Sequence, residues 1–198
     1  EREEELIKAS WVKGVYKNIW IEQFKKMSLL AYENADMVTC LYDHARKLQI
    51  ELGCPAEKIR VTPNGINVEA LAGLPGKTEE EQQFINAGAV LRVTPIKDVK
   101  TMIQAFAFAK KRVKNMKLWI MGPADEDEKY AKECYDLVES LGVKDVEFTG
   151  RVNVRDYLGK MDFTLLTSIS EGQPLTILES YAAHKPVITT DVRSPILS

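Results

Sequence analysis

The chain has 198 residues, 45% hydrophobic and 28% charged, and its 27 Lys and Arg against 29 Asp and Glu leave a formal charge of −2. That balance excludes a disordered chain and a basic nucleic-acid binder, and the length allows one domain plus part of another, so the local basic stretch Ala109–Lys117 reads as a helix end at the surface. Cys40, Cys54 and Cys134 form no C-x-x-C pair, which argues against zinc or a disulfide framework and for a reducing compartment; no uncharged run reaches the ~18 residues that a membrane span needs, and no signal peptide opens the chain.

Along the chain, Val12, Val15, Ile19, Phe24, Met27 and Leu30 recur near a 3.6 period, which predicts an amphipathic helix over Trp11–Tyr32. A short strand at Met37–Tyr42 and a helix at His44–Leu52 follow, the helix ended by Gly53. Ile59–Thr62 reads as another strand. Pro63-Asn64-Gly65 and Leu74-Pro75-Gly76 then break the pattern and mark an interdomain linker over 63–80.

Beyond it strands and helices alternate. The strands are expected at Phe84–Leu91, Leu118–Met121, Val146–Phe148, Phe163–Leu166 and Val187–Thr190. Between them helices are expected near Val99–Val113, Glu126–Leu141, Val154–Lys160 and Leu175–Ala183, the second capped by Asp125 with Glu128 three residues on. Such alternation means an α/β, Rossmann-like parallel sheet with helices on both faces. With the usual strand order 3-2-1-4-5, ligands bind at the switch point between the first and fourth strands. That selects two loops, Arg92–Asp98 and Thr167–Pro174.

The first loop lacks a G-x-G-x-x-G fingerprint, which removes the best support for a nicotinamide cofactor. It carries two cations, Arg92 and Lys97, suited to a diphosphate; the plainer alternative is that both are solvated or paired. In the second loop Gly172 allows close backbone approach and Pro174 suits a helix start, so the N–H groups around Gly172–Thr176 form an anion site. Glu171 precedes that site and Glu179 follows eight positions later. His44 and His184 read as surface or packing residues, and Trp11, Trp20 and Trp119 as core or interface residues.

Glu171 and Glu179 match the E-x7-E signature of retaining glycosyltransferase family 4, whose members have the two-domain GT-B fold. The resemblance extends over Pro63-Asn64-Gly65-Ile66, Arg92 with Lys97, Met121-Gly122-Pro123, Thr149-Gly150-Arg151 and Lys185-Pro186-Val187, in that order. Thr94–Thr101 and Ser168–Leu178 look especially like the Pel exopolysaccharide subgroup. The resemblance implies that residues 1–62 are the end of an N-terminal acceptor domain and that 81–198 are a donor domain truncated at its C-terminus. The start at Glu1, without Met, likewise suggests a fragment.

By the same resemblance the donor is a UDP-sugar, with UDP-glucose a plausible one. Glu179 would hold the ribose hydroxyls, and Arg92 and Lys97 would neutralise the departing diphosphate without a metal or other cofactor. Glu171, beside the Gly172, Gln173, Pro174 and Leu175 backbone, would meet the donor sugar, and Gly150, Arg151 and Val152 the base. A glycan acceptor would sit on the N-terminal domain, so the chain alone is expected to bind the donor without transferring it. Self-association through residues 11–32 is a further expectation. So is a cytoplasmic location, with a peripheral place on the inner membrane face as an open variant. A nucleotide-sugar-binding module without turnover and a GT-B epimerase or phosphorylase are the alternatives. Three departures from the family pattern stand out: Leu91 before Arg92, His184 and Arg193 each replace a usual Gly.

Overall fold

The computed structural model describes residues 16–191. The first five residues of the predicted helix Trp11–Tyr32, and Arg193 with the rest of the tail, lie outside the described residues. The chain divides between Asn64 and Gly65 into two compact units.

The first unit holds helix α1 (Lys17–Asn34), strand β1 (Val38–Cys40), helix α2 (Asp43–Glu51) and strand β2 (Ile59–Val61), with β1 and β2 paired in parallel. Cys40, Cys54 and Ile59 form its small buried cluster, with Tyr32, Val38 and Ala45 packed against it. All three cysteines of the chain are free thiols buried in apolar surroundings. On α1, Ile19, Phe24, Met27 and Leu30 are exposed.

The second unit begins with the short helix α3 (Glu69–Ala72), inside the stretch read from sequence as a linker. From Gly65 onward that stretch is part of the fold. Ile66, Leu71 and Leu74 pack against Leu158, Ala182 and Ala183, so apolar contact overrides the turn signals. Gly159 is required here, because a Cβ on it would lie 2.2 Å from the Pro75 carbonyl oxygen.

Five parallel strands follow: β3 (Ile85–Val90), β4 (Met116–Met121), β5 (Val146–Gly150), β6 (Phe163–Leu166) and β7 (Val187–Thr189). Their order is β5-β4-β3-β6-β7, the expected 3-2-1-4-5 arrangement. Helices α4 (Val99–Lys110) and α5 (Glu128–Ser140) cover one face. There Val99, Met102, Ile103, Phe106, Ala131 and Cys134 close on Ala87, Ala89, Leu118 and Ile120. Helices α6 (Arg155–Leu158) and α7 (Leu175–Ala182) lie on the other. Gly88 faces that side, where a Cβ would collide with the Met161 side chain at 2.7 Å. Inside this layer the Thr164 hydroxyl donates to Ser180 Oγ, and Ser180 donates to the Thr176 carbonyl, so both buried hydroxyls are satisfied.

Two local expectations change. The cap of α5 is Asp127, whose carboxylate accepts from Tyr130 N at 2.9 Å, and not Asp125. The helix starts later than expected because its buried face begins at Tyr130 and Ala131, three and four residues beyond Asp127. His184 does adopt the left-handed conformation that glycine usually supplies, at φ 58°, and the turn is closed by His184 N to Tyr181 O and Lys185 N to Ser180 O.

These backbone positions give opposite expectations under urea unfolding. His184→Gly relieves the left-handed penalty and should stabilise the chain by about 0.5–1 kcal/mol. Gly122 has φ 143° and a Cβ there would sit 1.9 Å from the Leu91 carbonyl oxygen, so Gly122→Ala should destabilise by roughly 2–4 kcal/mol. A neutral Gly122→Ala would show that the β3 and β4 ends are not locked together as described.

Candidate functional site

β3 and β6 are hydrogen-bonded neighbours, and the chain leaves their carboxyl ends toward helices on opposite faces, which makes this the topological switch point of the sheet, flanked by the two loops. The first loop is pinned to the end of β4 by Leu91 N to Met121 O at 3.0 Å and Val93 N to Pro123 O at 2.8 Å. Pro95–Lys97 then makes one tight turn. Asp98, at φ 44°, caps α4 by accepting from Thr101 N.

The second loop is stitched directly to the first. Ile169 N donates to Ile96 O at 2.8 Å, and the Thr167 hydroxyl lies 3.0 Å from both the Lys97 and the Asp98 carbonyl oxygens. On the far side Thr190 Oγ1 donates to the Ser168 carbonyl at 3.2 Å. One backbone bond and the hydroxyls of Thr167 and Thr190 therefore tie the loops together independently of the charged side chains.

Across this seam Lys97 Nζ pairs with Glu171 Oε1, and the Ser168 hydroxyl donates to the same oxygen at 2.6 Å. Both charged side chains are sheltered, Lys97 18% and Glu171 11% exposed. Glu171 Oε2 receives no hydrogen bond from any described residue. The fold thus unites two of the three residues to which sequence assigned chemistry.

The third, Arg92, does not share a partner with Lys97. Its guanidinium is exposed and bonded to Glu126 at 2.8 Å, so each cation starts with its own carboxylate. Glu126 could not be found from sequence because it belongs to the loop after a different strand. Ser168 was within reach, since a hydroxyl three residues before a loop glutamate is a local hydrogen-bonding pattern.

Glu179 sits on α7, four residues past its first position, which puts its Cα about 6 Å along the helix from Leu175. Its carboxylate is half-buried and has neither hydrogen bond nor ion pair among the described residues. Pro174 precedes α7 and no side chain caps the helix, leaving its start to backbone donors. Gly172, Gln173 and Leu175 frame this turn, Gly172 and Leu175 exposed and Gln173 half-buried. Gly150, at φ 67°, ends β5 and accepts from Gly122 N at 2.9 Å. Arg151 beside it is exposed and bonded to Asp125 at 3.3 Å, and Val152 is half-buried. No group of three His, Cys, Asp or Glu among the described residues is arranged to hold a metal.

Residues 81–197 match the family described as glycosyl transferases group 1, more than half of the chain. The chain belongs to this family. Residues 1–57 match a second family, described only as a domain of unknown function. Among curated relatives, an uncharacterised glycosyltransferase of Methanocaldococcus jannaschii is 25% identical over 93% of this chain and 46% of its own length. The amylovoran biosynthesis glycosyltransferase AmsK of Erwinia amylovora is 29% identical over 72% of this chain and 36% of its own. The alpha-monoglucosyldiacylglycerol synthase of Streptococcus pneumoniae is 28% identical over 78% and 37%. The chain thus spans between about a third and a half of the length of these relatives.

Solved structures share the fold. Anabaena HepE, solved with UDP and glucose, superposes with a TM-score of 0.73 at 20% identity, over 87% of this chain and 49% of that one. A mutant of S. aureus TarM, solved with UDP among its ligands, gives 0.68 at 20% identity over 88% and 34%. The α/β architecture is that of half of a GT-B glycosyltransferase.

The seam between the loops can be cut at one hydroxyl. Thr167→Val removes both bonds to the first loop while keeping the shape, which should cost about 1–2 kcal/mol. Hydrogen exchange at the Ile169 amide is expected to speed up while amides of β4 stay protected. Unchanged exchange at Ile169 would show that the backbone bond alone holds the seam.

Proposed function

We propose that this chain is the donor-binding part of a retaining glycosyltransferase that takes a UDP-sugar, with a hexose such as glucose, for transfer to a glycan in polysaccharide biosynthesis. The observation that carries the reading is the Lys97–Glu171 pair at the switch point, a sheltered cation and a sheltered carboxylate joined across the seam between the two loops. HepE with UDP-glucose and TarM with UDP support the choice of nucleotide, and AmsK supports the polysaccharide setting.

Each group then has a task. Arg92 and Lys97 offer charge-assisted hydrogen bonds to the diphosphate, in place of a divalent ion, as it departs with negative charge. The turn Gly172-Gln173-Pro174 leads into α7, whose first N–H groups, from Leu175 on, and positive end offer an anion site. Glu171 turns its open Oε2 to a hydroxyl of the donor sugar. Glu179, a carboxylate with no partner among the described residues, suits the ribose hydroxyls. The backbone at Gly150–Val152, with Arg151, borders the base. Retention follows from attack on the same face that the leaving oxygen vacates, with that oxygen receiving the acceptor proton. Holding donor and acceptor together can lower such a barrier by about 7–11 kcal/mol, and the acceptor side requires the whole protein.

The reading fixes how affinity should respond. UDP is expected to bind in EDTA with an affinity that Mg²⁺ and Mn²⁺ do not improve; binding only with metal would sink it. Arg92→Ala and Lys97→Ala should each weaken UDP about tenfold or more, the value of one charge-assisted bond, and leave uridine within about twofold. Glu179→Ala should weaken both ligands. Glu171→Gln should tighten UDP, because it releases Lys97 from its internal partner. Calorimetric titration of the four variants checks the set.

A further inference from the structure

Glu171 is held by two groups that respond differently to a donor. The Lys97 ammonium and the Ser168 hydroxyl both donate to Oε1, and no described residue donates to Oε2. A diphosphate competes for Lys97, since phosphate oxygens and Glu171 are acceptors for the same ammonium. It does not compete for Ser168. That residue is 2% exposed, its carbonyl is bonded by Thr190, and its neighbours Thr167 and Ile169 are bonded to the first loop. Its hydroxyl is therefore a fixed donor in the empty and in the occupied site alike.

A sheltered carboxylate that loses its cation must be stabilised by another donor or swing toward water. We infer that Ser168 is a positioning residue: its buried hydroxyl keeps Glu171 aimed at the donor sugar when Lys97 turns to the diphosphate. Oε1 is anchored on Ser168, and Oε2 accepts from a sugar hydroxyl. Discrimination between a nucleotide and its sugar then depends on a side chain that touches neither. This inference rests on the donor-site reading given above.

The test titrates UDP and UDP-glucose, in EDTA, into the full chain, Ser168→Ala, Glu171→Ala and the double variant. Ser168→Ala is expected to leave UDP within about twofold and to weaken UDP-glucose about five- to tenfold, the value of one hydrogen bond. Retained UDP binding doubles as the control for folding. In the Glu171→Ala background Ser168→Ala should have no further effect, because nothing remains to be positioned. Lys97→Ala provides the contrast, weakening both ligands. Equal loss of UDP and UDP-glucose in Ser168→Ala would overturn the inference while leaving the donor site standing. So would an undiminished effect in the Glu171→Ala background, or equal affinities of the unaltered chain for the two ligands. If the unaltered chain bound neither UDP nor UDP-glucose, the donor-site reading would fail and this inference with it.

Discussion

β3 and β6 pair in parallel, Ala87 opposite Phe163 and Gly88 opposite Thr164, and each continues into a loop at the same end of the sheet. Parallel strands need crossover connections, and here the crossovers leave in opposite directions from adjacent strands. The switch point this creates is a consequence of chain geometry and not of any particular side chain. The loops on either side are then welded by Ile169 N to Ile96 O and by the Thr167 hydroxyl. Lys97 and Glu171, 74 positions apart in the chain, are brought into contact where these bonds join the two loops.

The three cations of the site each pair with a carboxylate of the chain. Lys97 pairs with Glu171, Arg92 with Glu126 and Arg151 with Asp125. The pairs differ in kind. Arg92 and Arg151 are largely exposed, so their bonds contribute little to stability and exchange readily for a ligand. The Lys97–Glu171 pair is sheltered, and separating it costs more unless both partners find new ones. Under the proposed donor site, an anion for Lys97 and a hydroxyl for Glu171 would meet that requirement together.

At the amino end of the strands the ion pairs hold structure. Lys77 pairs with Asp162 and donates to the Phe84 carbonyl, and Asp162 also accepts from Asn86 N. Lys185 donates to the Gly159 carbonyl at 2.7 Å, and burial pushes its ammonium below the ordinary lysine value. The Lys185-Pro186-Val187 resemblance to the family therefore has a structural explanation: the lysine closes the turn after α6, while Pro186 O receives Thr164 N beside β7.

Alternation of strands and helices and the loops at the switch point were legible in the sequence, because they depend on periodicity and on the local geometry of a strand-to-helix turn. The capping of α5 by Asp127 was less so: Asp125 and Asp127 both offer carboxylates, and only the burial of Tyr130 decides between them. The stretch 65–80 looked like a linker because turn residues dominate it, yet Leu71 and Leu74 find apolar partners more than 80 positions away in Leu158 and Ala182. His184 could be flagged as an unusual residue for a helix end, while its left-handed φ is fixed by the backbone bonds around it. What the sequence determined by itself was which side chains carry charge at the loops. Which carboxylate faces which cation, and that Ser168 stands behind Glu171, was decided by tertiary structure, since hydrogen bonds of a few ångströms cannot be read from residues whose spacing the intervening fold alone sets.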